Sequence, residues 1–375
     1  MTSRIQQKTQ YSFLLNLSPI MKILVIQQKR IGDVLISTIL CNNLKKKYPE
    51  STIDFMCYSN CTDVLIGNPN IDSVIVLEEK IRKSYLSLFK FIFKMRSNKY
   101  DILIDVYGKL ETNLITIFSS ADYKISYHKW YSSLFYNHNI KRLENNDETN
   151  YGFAIDNRIL LLSPLNIDNA LIDPFPKLYV SNEENQEAIA LLNKHKVSKD
   201  RKIVMISLLG SEKSKTYPLD YMAKVVDYVA ENKDVTILFN YFPNQIEDAQ
   251  KVFNLCSKST QEKIHFDLLG SNLRSFIGIM NQCDIIIGND GGAINMAKAL
   301  NKPTFTIFSP YVTKNDWATF EDGLQNISVH LNDFKPELIN NILHKEIKSN
   351  SALFYQDLNP ELFKSQIHFF MTRNL

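Results

Sequence analysis

The chain has 375 residues, too many for one ordinary domain and suited to two. Apolar residues make up 45% and charged residues 22%, which excludes a disordered chain. The net charge of +3 is too small to favour nucleic acid as a partner. Of the five scattered cysteines, only Cys57 and Cys61 lie close in sequence, so we expect no zinc site and a reducing, cytoplasmic setting.

The first part of the chain alternates short apolar strands with helices. We treat residues 1–20 as an N-terminal extension, because the first strand of the fold begins at Lys22. No apolar run approaches the roughly 20 residues that span a bilayer. The alternation predicts a parallel sheet with right-handed crossovers in a domain over residues 21–175. Its strands are expected at 22–27, 51–59, 71–78 and 100–108, with helices at 34–48 and 84–100.

The alternation of strands and helices resumes in the second half of the chain. Residues 143–200 are polar, irregular and interrupted by prolines, and we place an interdomain linker at 176–200. A second α/β domain is predicted over 201–345, with strands at 202–210, 235–241, 264–270, 283–290 and 303–310. Residues 346–375 form a helical segment that we expect to pack back on the N-terminal domain. The predicted fold is therefore two Rossmann-like α/β domains that face each other across a cleft.

One candidate site follows the first strand, at Arg30-Ile31-Gly32-Asp33. Ligands of open α/β sheets bind at the carboxyl ends of the strands. Gly32 allows a tight turn, and Asp33 stands at the entrance of the next helix. Asp33 could be a helix N-cap, or it could be a general base that points into the cleft. The sequence alone leaves both alternatives open.

A second candidate is Gly288-Asn289-Asp290-Gly291-Gly292-Ala293, which follows an apolar strand. Two glycines at a helix start let backbone N–H groups approach a phosphate, although they also suit a simple tight connection. The G-x-G-x-x-G and Walker signatures are both missing. The loop at 210–218 adds small hydroxyl residues and two lysines, which suit either a pyrophosphate or solvent.

The helix predicted at 84–100 mixes apolar and basic residues. Basic amphipathic helices can lie on anionic membranes. The alternative is an ordinary helix of an α/β domain whose basic face is solvated. Trp130 and Tyr131, with Lys129, Lys141 and Arg142 nearby, are a second candidate membrane contact.

Three segments together resemble glycosyltransferase family 9, the lipopolysaccharide heptosyltransferase family. Residues 22–40 (KILVIQQKRIGDVLISTIL) resemble its opening strand and G-D-x-x-x-x-T segment. Residues 99–108 (KYDILIDVYG) resemble its Y-D-x-x-I-D strand. Residues 268–310 resemble its stretch in which a D-T-G-x-x-H-L-A-A-A-L helix precedes a K-P-T strand. The likeness extends from about residue 22 to about residue 330.

The resemblance implies a GT-B fold and an inverting, metal-independent glycosyltransferase without a cofactor; the sequence contains no D-x-D. The acceptor, a lipopolysaccharide or another lipid-linked or polysaccharide glycan, would lie on the N-terminal domain beside Arg30 and Gly32, with Asp33 as the catalytic base. A nucleotide-sugar such as ADP-heptose would lie on the C-terminal domain. The resemblance also suits contact with the inner face of the cytoplasmic membrane. The implied donor-binding residues are Ser211, Lys215, Asp290, Gly291, Gly292 and Asn295.

Some positions depart from the family pattern. Gly291 replaces a Thr and Asn295 replaces a His, while Glu111-Thr112 stands where the family often has Lys-Ser. The donor ribose could be held by Glu247 or Gln245, and the sequence does not choose between them. Two alternatives stay open: a GT-B epimerase or transferase that uses another nucleotide-sugar, and a non-catalytic protein that binds a sugar nucleotide or a glycan.

Overall fold

The chain forms two six-stranded sheets in which every hydrogen-bonded strand pair is parallel. The computed structural model describes residues 20–144, 149, 151–198 and 200–375, so the extension expected at 1–20 lies outside the described residues except for its last residue. The first sheet has the order β3-β2-β1-β4-β5-β6. Its strands are β1 (Lys22–Ile26), β2 (Thr52–Cys57), β3 (Ser73–Val76), β4 (Ile102–Asp105), β5 (Tyr123–Tyr127) and β6 (His138–Ile140).

Helices cover both faces of the first sheet, which is why β1 and β4 are almost wholly apolar and buried. The longest helix, α1, ends in three lysines that suit the negative end of the helix dipole. The helices of the first half and of the connection are α1 (Ile31–Lys47), α2 (Glu79–Arg82), α3 (Tyr85–Ser97), α4 (Leu110–Phe118), α5 (Phe153–Leu160) and α6 (Asn182–Lys194).

The second sheet has the order β12-β11-β10-β7-β8-β9, which repeats the strand order of the first. Counted from its own first strand, each sheet reads 3-2-1-4-5-6, the Rossmann order. The order reverses between β1 and β4 and between β7 and β10, and ligands bind at such reversal points. The strands are β7 (Lys202–Ser207), β8 (Val235–Asn240), β9 (Ile264–His265), β10 (Ile285–Asn289), β11 (Thr304–Ile307) and β12 (Asn326–Val329).

The helices of the second half begin with α7, whose apolar face is buried against the sheet. They are α7 (Leu219–Asn232), α8 (Ile246–Leu255), α9 (Lys258–Gln261), α10 (Leu273–Asn281), α11 (Gly292–Ala299), α12 (Lys314–Trp317), α13 (His344–Ser349), α14 (Ser351–Gln356) and α15 (Lys364–Asn374). Helix α11 packs against α1, so that one apolar core runs from the first half into the second.

The segment expected to be an irregular linker contains α6. Ser181 and Glu184 form a capping box at its start, because each side chain accepts a hydrogen bond from the other residue's backbone N–H. Helix α6 packs against α10, where Arg274 forms an ion pair of 2.6 Å with Glu184. Arg274 also donates to the backbone oxygen of Asp63 in the first half, and therefore links the two halves.

The C-terminal segment packs on the second sheet and its helices, so the expectation that it returns to the N-terminal domain is wrong. The reason is that its aromatic side chains find apolar partners on their own half. The Phe363 and Phe370 rings lie 6.0 and 5.8 Å from Phe305 of β11. Tyr217, which is fully buried, donates to the backbone oxygen of Leu358.

Within the described residues, no helix is both long enough and apolar enough to cross a membrane. All five cysteines are buried and free. Burial raises the pKa of the Cys61 thiol to about 11 and that of Cys57 to about 12.

We expect Phe370→Ala to lower the free energy of unfolding by about 3–5 kcal/mol, because it removes a fully buried ring and leaves a cavity beside Phe305. The neighbouring residue, Phe369, is half-exposed. Phe369→Ala is therefore the matched control and should cost less than about 1 kcal/mol. Denaturant unfolding of both variants measures the difference. Equal losses would contradict the packing of α15 on the second sheet.

Candidate functional site

Asp33 lies in the first turn of α1, close to the carboxyl end of β1. The N-cap of α1 is Arg30, so the alternative that Asp33 caps the helix is wrong. Its Oδ1 atom accepts a hydrogen bond of 2.9 Å from Nη2 of Arg158, which is on α5. Within the described part of the chain, no hydrogen-bond donor reaches Oδ2 of Asp33, so this oxygen stays available to a ligand.

Arg158 is buried, and its guanidinium group donates hydrogen bonds from all three nitrogen atoms. It donates from Nε to Ser37 Oγ (2.8 Å), from Nη1 to the Ala154 oxygen (2.6 Å) and from Nη2 to the Asp33 oxygen (3.3 Å). A planar guanidinium group that is held by several acceptors has little freedom to rotate. Arg158 therefore fixes the orientation of the Asp33 carboxylate. The sequence interpretation missed this residue, which lies 125 positions from Asp33.

A cavity of about 430 Å³ opens beside Asp33. It is lined by residues that follow the carboxyl ends of β1 and β4, by the end of β5, by α5, and by Asp316 and Trp317 of α12 in the second half. Its charged side chains are four cationic and two anionic, which favours an acidic ligand. These side chains belong to Lys29, Arg30, Arg142, Arg158, Asp33 and Asp316.

The sequence did not predict Arg142 or Asp316 as cavity residues, and it placed Arg142 only beside the candidate membrane contact at Trp130 and Tyr131. The Arg142 guanidinium lies 3.9 Å from the centre of the Tyr127 ring, a cation–π contact. Burial raises the pKa of Asp316, while the Thr313 side chain and the positive charge of Arg142 oppose that rise. The cavity is thus completed by a carboxylate from the second half of the chain.

The loop after α12 is held against the connection between the halves. The Phe320 N–H donates to the Tyr151 oxygen at 3.1 Å, and the Phe320 ring stacks on Phe175 with centroids 4.7 Å apart. Lys298 Nζ donates to the Thr319 oxygen at 2.6 Å. These contacts hold α12, and with it Asp316, against the cavity.

On the second sheet, Lys215 and Asp290 are brought together from two different loops. Lys215 Nζ lies 3.4 Å from Asp290 Oδ2, and both side chains are largely buried. Burial raises the pKa of Asp290, and the Lys215 ammonium group opposes the rise. The alternative of a loop with solvated lysines is therefore wrong for Lys215, although Lys213 is exposed.

Asn289, which the sequence interpretation did not single out, holds the reversal point of the second sheet together. Its Oδ1 accepts from the Tyr217 N–H at 2.7 Å, and its Nδ2 donates to the oxygens of Ser207 and Leu208 at 3.0 and 2.8 Å. The side chain is fully buried. One amide thus joins β10 to the end of β7 and to the start of α7.

The glycines at the start of α11 face open space. A Cβ atom added to Gly291 or Gly292 would meet no other atom within 4 Å. Neither packing nor backbone conformation requires a glycine at Gly291, whose φ of 167° is extended. Space for a ligand beside exposed backbone N–H groups is what a phosphate site at a helix start needs.

The motif at 30–33 and the motif at 288–293 meet where α1 packs against α11. A Cβ atom on Gly32 would lie 2.7 Å from Asn295 Nδ2. Gly32 is therefore part of the contact between the halves and does not line the cavity, whereas Arg30 and Asp33 do. The six residues predicted to bind the donor do not line this cavity either. Ser211 is exposed at the tip of its loop.

Other side chains named from the sequence have structural partners. Glu111 forms an ion pair with Arg82 at 3.3 Å, and Thr112 Oγ1 accepts from the Lys109 N–H at the start of α4. The amide of Gln245 is used by the backbone of Phe242 and Gly210, so it is less available to a ribose than Glu247, which is exposed.

Glu212 connects the loop that carries Lys215 to Tyr311 and Lys348. Its Oε1 accepts from the Tyr311 hydroxyl at 2.6 Å and from Lys348 at 3.0 Å, and these contacts lower the pKa of Glu212 to about 2. No group of three or more His, Cys, Asp or Glu residues within the described ranges is placed to hold a metal ion.

We expect the stability of the protein to depend on Lys298 in alkaline solution. Burial lowers the pKa of Lys298 to about 8, although Glu321 and Asp290 favour its charged form. Between pH 8 and the ordinary lysine value of 10.5, the unfolded chain binds more protons than the folded one, so this group adds stability as the pH rises. The wild type should gain about 1–3 kcal/mol relative to Lys298→Met across this range.

Denaturant unfolding at a series of pH values measures this gain. Lys194→Met, at an exposed position near the end of α6, is the control for loss of a surface lysine. A difference between wild type and Lys298→Met that stays constant with pH would contradict the assignment.

The family model of glycosyltransferase family 9 (heptosyltransferase) matches residues 88–341. Lipopolysaccharide heptosyltransferase 1 of Campylobacter coli is 26% identical over 298 residues, which cover 77% of this chain and 84% of that protein. Lipooligosaccharide heptosyltransferase 2 of Haemophilus ducreyi is 25% identical, with coverage of 76% and 81%.

Solved structures agree in fold. The glycosyl transferase family 9 protein of Veillonella parvula has a TM-score of 0.70 at 18% identity, with 90% of this chain and 97% of that one covered. The ADP-heptose lps heptosyltransferase II of E. coli has a TM-score of 0.63 at 18% identity, with 90% and 99% covered. The family match spans more than half of the chain. The chain therefore belongs to glycosyltransferase family 9, the heptosyltransferase family, and is a glycosyltransferase.

Proposed function

We propose that this glycosyltransferase is inverting and metal-independent, and that it moves a heptose from a nucleotide-diphosphate donor to a lipopolysaccharide acceptor. ADP-heptose is the donor to test first, since one solved E. coli heptosyltransferase of similar fold contains ADP-2-deoxy-2-fluoro heptose. The N-terminal domain, residues 21–175, would hold the acceptor. Residues 201–345 would hold the donor, with 176–200 as the connection and 346–375 as a C-terminal helical segment.

The observation that carries the proposal is the meeting of the two motifs where α1 packs against α11. Gly32, the residue before Asp33, lies against Asn295. Asn295 in turn follows Gly292 by three residues. A base on α1 and a phosphate site at the start of α11 would therefore belong to a single cleft. Each site also lies at the point where the strand order of its sheet reverses.

In the proposed reaction, Asp33 Oδ2 takes the proton of an acceptor hydroxyl while Arg158 holds Oδ1. The acceptor oxygen forms a bond to the anomeric carbon of the donor sugar, on the face opposite the diphosphate. The bond between that carbon and the diphosphate oxygen breaks, and its electron pair leaves on the diphosphate. The Lys215 ammonium group and the N–H groups of Gly291 and Gly292 stabilise the growing negative charge.

The acidic-ligand preference of the cavity supports the acceptor assignment. The cavity beside Asp33 is also lined by three cationic residues of the first half, Lys29, Arg30 and Arg142. A lipid-linked or polysaccharide acceptor with carboxylate or phosphate groups would suit these cations. Because a lipid-linked acceptor is anchored in a membrane, we also propose that the protein works at the inner face of the cytoplasmic membrane.

We expect Asp33→Asn to lower kcat by about 10²–10⁴, because the amide keeps an oxygen for Arg158 but cannot accept the proton. Transfer from ADP-heptose to an acceptor fragment is the measurement. The variant should still bind donor, since the proposed donor site is on the other half.

Melting temperatures of the Asp33 variant, with and without donor, separate loss of catalysis from loss of folding. Full turnover by a folded Asp33→Asn protein would contradict the assignment of Asp33 as the base. A wild type that binds donor but neither transfers nor hydrolyses it would favour the non-catalytic alternative, to which the replacements at Gly291 and Asn295 point.

We expect Lys215→Ala to weaken binding of ADP and ADP-heptose by about 10–100-fold, because a largely buried ammonium group would face the diphosphate. A ligand at a hundred times its dissociation constant adds about 2.7 kcal/mol of stability, so a thermal-shift titration detects the loss. Lys213→Ala, two residues away and exposed, is the matched control and should bind like the wild type. The titration is made with a chelator present. A requirement for added divalent metal, or equal binding by Lys215→Ala, would contradict the proposal.

A further inference from the structure

The most exposed large apolar side chains of the protein are concentrated on the first half. Among the described residues, six such side chains are at least 70% exposed, and five of these lie between residues 85 and 134. Exposed apolar side chains are ordinary when single, whereas a group of them marks an interaction site. We call these five the apolar rim: Tyr85, Leu86, Leu110, Trp130 and Leu134.

The apolar rim lies at the edge of the sheet where the Asp33 cavity opens. Leu110 follows the cavity residue Tyr107 by three positions, and Trp130 follows the cavity residue Tyr127 by three. In a parallel sheet the carboxyl ends of all strands share one edge, so segments that directly follow them lie side by side. The rim and the cavity are therefore neighbours.

The start of α3 joins the same edge. Arg82, three residues before Tyr85, forms an ion pair of 3.3 Å with Glu111, the residue after Leu110. Farther along the two helices, the rings of Phe93 and Phe118 are 6.0 Å apart. The apolar surface thus continues from the rim along α3 and α4.

This surface carries positive charge. Residues 80–100 contain seven Lys and Arg residues, of which three near the start of α3 form ion pairs with Glu78, Glu79 and Glu111. The excess of positive charge therefore comes from the cations farther along the segment, Lys90, Lys94, Arg96 and Lys99. Lys90 and Lys94 are exposed on α3, and within the described ranges neither is in an ion pair. Tryptophan, tyrosine, leucine and lysine side chains together are typical of protein surfaces that enter the interfacial region of a bilayer. A protein partner would not require the excess of positive charge, whereas anionic lipids attract it.

We propose that the apolar rim and the lysines of α3 form a surface that binds an anionic lipid bilayer, with the rim side chains inserted among the headgroups. The inference deepens the proposed function and rests on it in one respect, because the Asp33 cavity then opens beside the membrane that anchors the acceptor. The protein would dock on its first half and keep the second half, with the proposed donor site, in the aqueous phase.

Flotation with vesicles of phosphatidylethanolamine and phosphatidylglycerol tests the surface, with phosphatidylcholine vesicles as the neutral comparison. We expect the full-length protein to float with the anionic vesicles and much less with the neutral ones. Each substitution Leu86→Ser, Leu110→Ser or Leu134→Ser should weaken binding by about tenfold, since each removes an inserted apolar side chain. The pair Lys90→Glu and Lys94→Glu should also weaken it, and added salt should do the same.

Leu343→Ser is the matched control, because Leu343 is 77% exposed but lies on the second half. Its vesicle binding should equal that of the wild type. Equal losses in Leu343→Ser and Leu134→Ser, or binding that the rim substitutions leave unchanged, would overturn the proposal. Rim-dependent dimers with no vesicle binding would overturn it too, in favour of a second copy of the chain.

The two tryptophans supply an independent measurement. In a Trp317→Phe protein, Trp130 is the remaining tryptophan, and its emission should shift to the blue when anionic vesicles are added. Unshifted emission from vesicle-bound protein would show that another surface binds. Because these experiments use neither donor nor acceptor, their failure would be distinct from a failure of the proposed transfer reaction.

Discussion

Every strand pair in both sheets is parallel, and this constraint determines where polar chemistry can lie. Helices cover both faces of a parallel sheet, so its strands are apolar along their length and polar side chains gather at their ends. The same strand order in the two sheets places two carboxyl-end crevices in the molecule, and the packing of α1 on α11 turns these crevices toward each other. The contact between Gly32 and Asn295 is the point at which the two crevices meet.

Each crevice is held by one buried polar side chain that reaches across several segments. Arg158 connects α5 to Asp33 and Ser37 of α1, and Asn289 connects β10 to β7 and to Tyr217. Both groups are costly to bury unless their hydrogen bonds are satisfied, so they specify one arrangement of their surroundings. Neither Arg158 nor Asn289 is proposed to bind substrate. Each lies beside residues that are: Arg158 contacts Asp33, and Asn289 precedes Asp290.

Sequence patterns predicted the parallel α/β architecture and the residues at the ends of β1 and β10, because long apolar runs and glycine-rich turns are local signals. They missed short elements whose stability comes from neighbours, such as β6 with three residues and β12 with four. Helix α6 does carry a local signal, the S-x-x-E capping box at Ser181, but prolines and polar residues around it are typical of a loop. Arg142, Arg158 and Asp316 could not be assigned to the cavity, because only the folded chain brings them to Asp33.

The replacement of the family's histidine by Asn295 bears on how the proposed donor site keeps its positive charge. An amide cannot carry a charge, and the Asn295 side chain lies against Gly32. Asp290, however, is influenced by two ammonium groups, those of Lys215 and Lys298. Lys298 stands where the family pattern has an alanine, one turn after Asn295 on the same helix. The Lys298 ammonium group adds positive charge near Asp290, and it also holds the Thr319 loop beside Asp316. The departure at Asn295 therefore leaves two ammonium groups, those of Lys215 and Lys298, near the proposed donor site.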